Sequence, residues 1–426
     1  MKRKLLAFCL CFLSLFASVA KAAPAVSAPC AILIDGKTGL VLYEKNAHET
    51  AYPASTTKVM TAILALEKGN MEDMVEVSFE AVNSISFDSS KAGLFAGEVF
   101  SLKDLVYSLL ICSANDSANV IAEHIAGDID AFVAMMNARA AELGAKNTHF
   151  ENAHGLHNAN HYTTAYDLAI LTKHALTLPH FREIVATRAY QLAPTDKYEE
   201  IRYINSTNHL LNPQSQYYYA DAIGVKTGYT SDAGSCLIAA ADSGDATYVA
   251  VVLGAENEEG QVMSFVDSRT LLSYGKEHFE PVTLSTAGTA AEGIPIKKAK
   301  KTKVVGVHTQ ETVKAILPEG TGADAVEKRE YIKTNLEAPV KAGDILGRVE
   351  YLYGDTVVGK TYLVADTDIE KKSLLGRFFS WIFSSFWTYP VLLVALFIFL
   401  IRRTRKMRAK RRRIRQAEIR RRNKYQ

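Results

Sequence analysis

The chain is poor in cysteine, with five among 426 residues, and Cys9 and Cys11 lie in its apolar opening segment. The other three are Cys30, Cys112 and Cys236. Three cysteines leave at least one thiol free, which excludes a disulfide-rich scaffold. Cys112 could be a reactive thiol, but a small buried core residue is the simpler interpretation. Internal repeats and heptad runs are missing too, which argues against repeat arrays and coiled coils.

Charge is absent from residues 378–401, a run long enough to cross a bilayer as a helix. Beyond it, residues 402–426 contain 14 Lys and Arg but one acid, Glu418. Because cytoplasmic flanks of membrane helices are rich in Lys and Arg, we expect a cytoplasmic tail that contacts membrane lipid, with the preceding chain outside. Pro390 divides the run, so its first part could instead lie in the membrane interface. A nucleic-acid-binding arm is the alternative interpretation of the tail.

The first 22 residues have the charged start, short apolar run and small-residue cleavage site of a secretory signal peptide. We therefore expect a mature chain from about Ala23, exported to the outer face of a cell membrane. A retained membrane anchor is the alternative. The net charge of +3 hides an acidic exported body, because basic residues concentrate in residues 1–22 and 402–426. An acidic body argues against nucleic acid as a partner.

Patterning divides the exported part into two domains. Residues 28–276 mix helical and strand-like runs, which predicts an α+β domain with helices around a central antiparallel sheet. Within it we expect a hairpin around residues 31–43 and a polar loop at 148–162. Residues 281–368 consist of short β-rich runs separated by Gly, Pro and Asp, which predicts a small β-rich domain for spacing or partner contact.

Residues 52–58, with the sequence YPASTTK, open an apolar run of helical spacing. Pro53 disfavours helix at Ala54, so we expect Ala54 to be extended and Ser55 to cap the helix. Ser55 and Lys58 then lie one turn apart on the same face. A buried lysine with a lowered pKa can take the proton of the hydroxyl, and the helix N-terminus can stabilise an oxyanion. Taken alone, the motif equally fits a plain helix cap beside a surface lysine.

Two further motifs follow: SAN at residues 113–115, at the end of an apolar helix, and KTG at residues 226–228. KTG recurs at Lys37-Thr-Gly39, and the more general pattern Ser-x-Asn recurs at Ser117-Ala-Asn119 and Ser206-Thr-Asn208. The other KTG precedes Ser55 in a hairpin turn, and the nearest other SAN already opens the next helix. Order and context therefore favour the first set.

The set Ser55-x-x-Lys58, SAN and KTG resembles that of the serine-type D-alanyl-D-alanine carboxypeptidases, the low-molecular-weight penicillin-binding proteins of peptidase family S11. The resemblance covers about residues 28–368. It implies a penicillin-binding transpeptidase/β-lactamase-like domain, followed by the family's β domain. It also implies peptidoglycan peptide stems as substrate and β-lactam antibiotics as covalent inhibitors, with no cofactor and no metal.

The resemblance assigns the chemistry to four residues. Ser55 attacks the carbonyl between two D-alanines and forms an acyl-enzyme, while Lys58 accepts its proton. Ser113 relays a proton to the leaving amine. The backbone N–H groups of Ser55 and Tyr229 form the oxyanion hole.

Substrate binding falls, by the same resemblance, to four further residues: Asn115, Lys226, Thr227 and Gly228. Asn115 holds the substrate backbone, Lys226 and Thr227 bind the terminal carboxylate, and Gly228 lets the peptide lie close to the strand. Family members often carry an arginine near that carboxylate. Residues 255–266 contain none, which puts carboxylate recognition in doubt.

Three other functions stay open at this point. A β-lactamase of the same fold is disfavoured, because no Glu-x-x-x-Asn lies between the second and third motifs. Endopeptidase action on peptide cross-links is compatible with all three motifs, and a catalytically inactive membrane-tethered binding protein is the alternative outside enzymology.

The polar loop also holds His154, His157 and His161; a metal site is the less favoured interpretation, because Gly and Asn make the segment a loop.

Overall fold

The computed structural model describes residues 23–373, 378 and 388–423. Two compact units divide the chain. The first extends to Leu284 and includes Lys314–Lys328 and Tyr351–Gly359, and the second comprises Ser285–Val313, Arg329–Glu350 and the chain from Lys360. The predicted signal peptide, residues 1–22, lies outside the described residues. The predicted domain bounds at 28–276 and 281–368 stay predictions.

A five-stranded antiparallel sheet forms the centre of the first unit. Its strands are β1 (Cys30–Asp35), β2 (Val41–Lys45), β7 (Ala222–Thr230), β8 (Gly234–Ser243) and β9 (Ala246–Ala255). They lie in the order β2-β1-β9-β8-β7. Small and β-branched residues fill β8 and β9, and nearly all are buried because helices pack against them. Strand β7 forms an edge of this sheet. The predicted hairpin is confirmed as β1 and β2.

Helices surround this sheet. They are α1 (Lys58–Lys68), α2 (Phe79–Asn83), α3 (Leu102–Ile111), α4 (Asn115–Ala126), α5 (Ile129–Leu143), α6 (Ala165–Ala175), α7 (Phe181–Ala186) and α8 (Met263–His278). The first eight residues of α1 are buried, since α3, α4, α5 and α6 all pack against it. An apolar helix enclosed in this way holds its first turn in a fixed place.

The first unit also contains two short strand pairs outside the central sheet. Strands β3 (Met74–Glu76) and β4 (Val99–Ser101) pair with each other, as do β5 (Ala189–Leu192) and β6 (Arg202–Asn205). The sequence does not predict the second pair, because these four-residue strands lie in a polar stretch with little alternation.

The start of α1 corrects the sequence-based expectation. Residues Ala54–Thr57 form a 3-10 turn, α1 begins at Lys58, and the Ser55 side chain caps no backbone N–H. Ala54 is left-handed, with φ of +47°, rather than extended. The prediction failed because proline restricts the residue before it, which here is Tyr52, and not the residue after it.

The chain after α8 is rich in strands. These are β10 (Phe279–Ser285), β11 (Ala290–Pro295), β12 (Val304–Thr309), β13 (Val313–Pro318), β14 (Glu327–Ile332), β15 (Ile345–Tyr353) and β16 (Thr356–Ala365). Strand β10 pairs with β13, and the other five form a sheet in the order β11-β12-β16-β15-β14. The β-rich runs that the sequence predicts after residue 281 are thereby confirmed.

A long helix, α9 (Thr388–Arg422), ends the described chain. No helix among the described residues is both long and apolar enough to cross a membrane. The predicted transmembrane span at 378–401 includes residues 379–387, which lie outside the described residues.

Candidate active site

Edge strand β7 borders a cleft of about 720 Å³. Although the three motifs are far apart in sequence, their residues meet here. Ser55, Ser113, Asn115, Thr227, Gly228 and Tyr229 line the cleft. The other SAN and KTG copies lie elsewhere: Ser117 is buried against Ser108, and Lys37 is exposed in the β1–β2 turn.

Lys58 is fully buried, and its Nζ lies 2.9 Å from Ser55 Oγ. The same nitrogen lies 2.6 Å from Asn115 Oδ1 and 2.7 Å from the backbone oxygen of His154. Burial lowers the pKa of Lys58 well below its usual range, and the positive charge of Lys226 lowers it further. Both effects favour the neutral amine, which is the form that can accept the proton of the Ser55 hydroxyl.

Lys226 is the second buried cation of the site, with 1% of its surface exposed. Its Nζ donates to the backbone oxygen of Thr227 at 2.9 Å. Burial lowers the pKa of Lys226 to about 7, so the protonated and neutral forms coexist near neutral pH. The hydroxyls of Thr227 and Thr207 are 2.6 Å apart, so the cleft wall continues from β7 to the segment after β6.

Gly228 brings β7 against the turn that carries Ser55. A Cβ atom at this position would lie 3.0 Å from the Ser55 nitrogen and 3.1 Å from the Ala54 Cβ. Because real Cβ atoms rarely come this close, a side chain here would push the strand away from the serine. The glycine therefore permits the backbone of β7 and the Ser55 N–H to face the same part of the cleft.

Ser113 lies between α3 and α4, and Asn115 is the first residue of α4. Ser113 has φ of +65°, and among the described residues its hydroxyl has no hydrogen-bond partner. The backbone N–H of Asn115 donates to Ser90 at 2.9 Å. Because the Asn115 oxygen lies against Lys58, its amide NH₂ is the part left for a ligand.

The polar loop at residues 148–162 contacts the turn that carries Ser55, a role that the sequence does not reveal. His161 Nε2 lies 2.8 Å from Thr57 Oγ1, and the His154 carbonyl holds Lys58. Burial lowers the pKa of His154 to about 3 and that of His161 to about 4. Both rings are thus neutral above pH 5. Gly155, with φ of +89°, packs directly against the Ala54 carbonyl.

The described cysteines are free and largely protonated. Cys30 and Cys236 are buried, and Cys112 is partly buried with its thiol donating to Ser108 at 3.2 Å. Burial raises the pKa of Cys112 and of Cys236 to about 11. These are features of packed thiols rather than reactive ones.

Comparison with known proteins agrees with this geometry. The family model for D-alanyl-D-alanine carboxypeptidases matches residues 17–257. This chain belongs to the D-alanyl-D-alanine carboxypeptidase family. A second family model, for the C-terminal domain of penicillin-binding protein 5, matches residues 279–371. Among the relatives of this carboxypeptidase, D-alanyl-D-alanine carboxypeptidase DacF of Bacillus subtilis strain 168 is 33% identical over 357 residues, which is 82% of this chain and 87% of DacF.

Solved structures share the carboxypeptidase fold. Penicillin-binding protein 5 from Haemophilus influenzae has a TM-score of 0.66 and 29% identity, over 82% of this chain and 99% of that one. The DD-transpeptidase of Streptomyces K15 has a TM-score of 0.55 and 30% identity, over 60% of this chain and 99% of that one. The predicted penicillin-binding fold with its C-terminal β domain is thereby confirmed.

Proposed function

We propose that this chain removes the terminal D-alanine from peptidoglycan peptide stems as a serine-type carboxypeptidase, through an acyl-enzyme on Ser55. The observation that carries the assignment is the 2.9 Å contact between Ser55 and the buried amine of Lys58. A serine hydroxyl becomes a nucleophile only when a neighbouring base removes its proton. Lys58 has the position and the lowered pKa that such a base requires.

Acylation follows from the hydrogen bonds of Lys58. A neutral amine has two N–H donors and one lone pair. The donors are occupied by Asn115 Oδ1 and the His154 carbonyl, which directs the lone pair at the Ser55 hydroxyl. As Ser55 Oγ bonds to the substrate carbonyl carbon, its proton passes to Lys58. The oxyanion forms at the backbone N–H groups of Ser55 and Tyr229.

Cleavage requires a proton on the departing amine. Ser113, whose hydroxyl faces the cleft unpartnered by the described residues, relays a proton from Lys58 to the D-alanine nitrogen as the C–N bond breaks. The Thr227 hydroxyl binds the terminal carboxylate at the cleft surface, and the charge of protonated Lys226, buried behind that surface, attracts it. Asn115 orients the substrate backbone through its NH₂. Water then attacks the acyl-enzyme, gives its proton to Lys58, and releases the shortened peptide while Ser55 regains its hydrogen.

A β-lactam acylates Ser55 in the same way. Its amine remains attached to the acyl group after the ring opens, whereas the D-alanine of the peptide leaves. We expect intact-mass measurement of the purified full chain to show one benzylpenicillin adduct, and none on Ser55→Ala. The matched control is Ser273→Ala, because Ser273 opens the other Ser-x-x-Lys of the exported body. D-alanine release from a diacetylated Lys-D-Ala-D-Ala peptide should follow the same pattern.

Other outcomes of this experiment separate the alternatives. An adduct that persists on Ser55→Ala contradicts the assignment of the nucleophile. Drug turnover without a lasting adduct indicates a β-lactamase. If the wild type shows no adduct and no drug turnover, the result would indicate the tethered binding protein instead of an enzyme. Release from cross-linked dimers but not from pentapeptide stems would indicate an endopeptidase.

We also propose that the catalytic part acts outside the cytoplasm of a bacterium and is held at its membrane by the C-terminal segment. The uncharged run at 378–401 and the 14 basic residues after it support this localisation. So does the signal-like opening segment, because export precedes any contact with peptidoglycan.

A further inference from the structure

The surface of the cleft carries almost no positive charge. Among the described residues that line it, His209 is the one side chain able to become a cation, and Asp88 the one acid. Lys58 and Lys226 are themselves buried behind that surface, with 0% and 1% exposure. A substrate that ends in a carboxylate needs a donor or a cation at the surface that it contacts.

The chain places His209 beside the predicted carboxylate site. Asn208 is buried and its Oδ1 accepts the N–H of Leu210 at 3.1 Å, which caps the 3-10 turn His209–Leu211. Thr207 and His209, on either side of it, are exposed and line the cleft. Thr207 in turn lies 2.6 Å from the Thr227 hydroxyl.

The imidazole of His209 is oriented by aromatic contacts and otherwise unoccupied. Its ring meets Phe265 edge-on at 5.4 Å and Tyr217 at 6.3 Å between centroids. Tyr217 is fixed in turn, since its hydroxyl accepts the N–H of Val262 at 2.8 Å. No described residue forms a hydrogen bond or ion pair with the ring nitrogens of His209. Phe265 and Val262 belong to the stretch 255–266, which lacks arginine.

We propose that His209 is a specificity-determining residue that donates a hydrogen bond to the terminal carboxylate of the substrate, together with Thr227. The proposal rests on the carboxypeptidase function proposed above. An imidazole N–H donates in the neutral form, and the imidazolium adds a charge. The residue therefore favours stems with a free terminal carboxylate over stems in which that group is amidated.

Steady-state kinetics test the proposal with two peptides, diacetylated Lys-D-Ala-D-Ala and its C-terminal amide. For the acid, His209→Ala should raise KM about tenfold with a smaller change in kcat, as expected on losing one hydrogen bond to a charged group. For the amide, kcat/KM should change little, so the preference for the acid falls about tenfold. His209→Arg should restore the preference, because a guanidinium binds a carboxylate well.

The matched control is His48→Ala, because His48 is also exposed and packs on an aromatic ring, Tyr166 at 4.6 Å, but does not line the cleft. Its kinetics should equal those of the wild type. Stoichiometric labelling by benzylpenicillin shows that each variant is folded. Equal losses on acid and amide, or an unchanged KM in His209→Ala, would overturn the assignment. A wild type that releases no D-alanine would contradict the proposed function first, and this proposal with it.

Discussion

Two lysines share this site, and their protonation states must differ for the chemistry to work. Lys58 has to be neutral to accept the Ser55 proton, whereas Lys226 has to be charged to attract a carboxylate. Burial disfavours the charged form of both, and the charge on Lys226 further lowers the pKa of Lys58. The pKa of Lys58 therefore falls further than burial alone would lower it, because charged Lys226 lies close by. This allows Lys58 to be neutral while Lys226 is still charged.

This separation predicts a bell-shaped pH profile for kcat/KM on the acid peptide. On the acidic side, activity rises with pH as Lys58 loses its proton. On the alkaline side, it falls with a midpoint at about pH 7, as Lys226 loses its own. Initial rates at substrate concentrations below KM, measured from pH 4 to 10, give both limbs.

Lys226→Arg tests which group produces the alkaline limb. A guanidinium keeps its charge over the whole range, so the alkaline limb should move to much higher pH while the acidic limb stays in place. The position of the limbs is the readout, whatever the height of the profile. An alkaline limb that stays near pH 7 in Lys226→Arg would assign it to a group other than Lys226.

At the level of elements, the loop 148–162 holds the Ser55 turn in a strained conformation. Ala54 and Ser113 both have positive φ, which costs energy for a residue with a side chain and is maintained only by surrounding contacts. The Ala54 carbonyl packs on Gly155, where an added Cβ would lie only 1.9 Å from the oxygen. The position of the nucleophile thus depends on a loop far away in sequence.

Gly155→Ala should accordingly damage both stability and acylation. Gly127→Ala is the matched control, because Gly127 has the same φ of +89° but no atom within 4 Å of its added Cβ. The control should lose about 1–2 kcal/mol from left-handed strain alone. Gly155→Ala should lose more, and its rate of acylation by benzylpenicillin should fall about a hundredfold if Ser55 moves by about 1 Å. Urea unfolding and stopped-flow acylation measure the two effects, and equal behaviour of both variants would contradict this role of Gly155.

Sequence patterning predicts the helices and strands that bury an apolar face. It fails for local structure that is determined by contacts between distant segments. Strands β8 and β9 and helix α3 are long apolar runs, so their existence could be predicted. Strands β5 and β6 are short and polar. The 3-10 turn at Ser55 packs against Gly155 and β7, which are distant in sequence. Rules that use only neighbouring residues cannot predict such contacts. For the same reason the motifs indicate Ser55, Lys58 and Lys226, whereas the His154 carbonyl and His209 become visible only when distant segments meet.

On the scale of the whole molecule, charge is distributed unevenly along the chain. Residues 23–401 are acidic overall, while residues 402–426 are strongly basic. Because an acidic catalytic part does not associate electrostatically with an anionic bilayer, we expect the C-terminal segment to supply any retention at a membrane. Apolar insertion and attraction of the basic residues to lipid headgroups respond differently to salt, and this allows them to be separated.

Fractionation of cells that produce the full chain, a chain ending at residue 376, and a chain ending at residue 401 should separate these contributions. We expect the full chain in the membrane fraction, resistant to 1 M salt and released by detergent, because the uncharged run supplies the retention. The chain ending at 376 should be soluble outside the cytoplasm and still labelled by benzylpenicillin. The chain ending at 401 should remain with the membrane, since it keeps the apolar run. Release of the full chain by salt alone would instead assign retention to residues 402–426 and contradict a spanning segment.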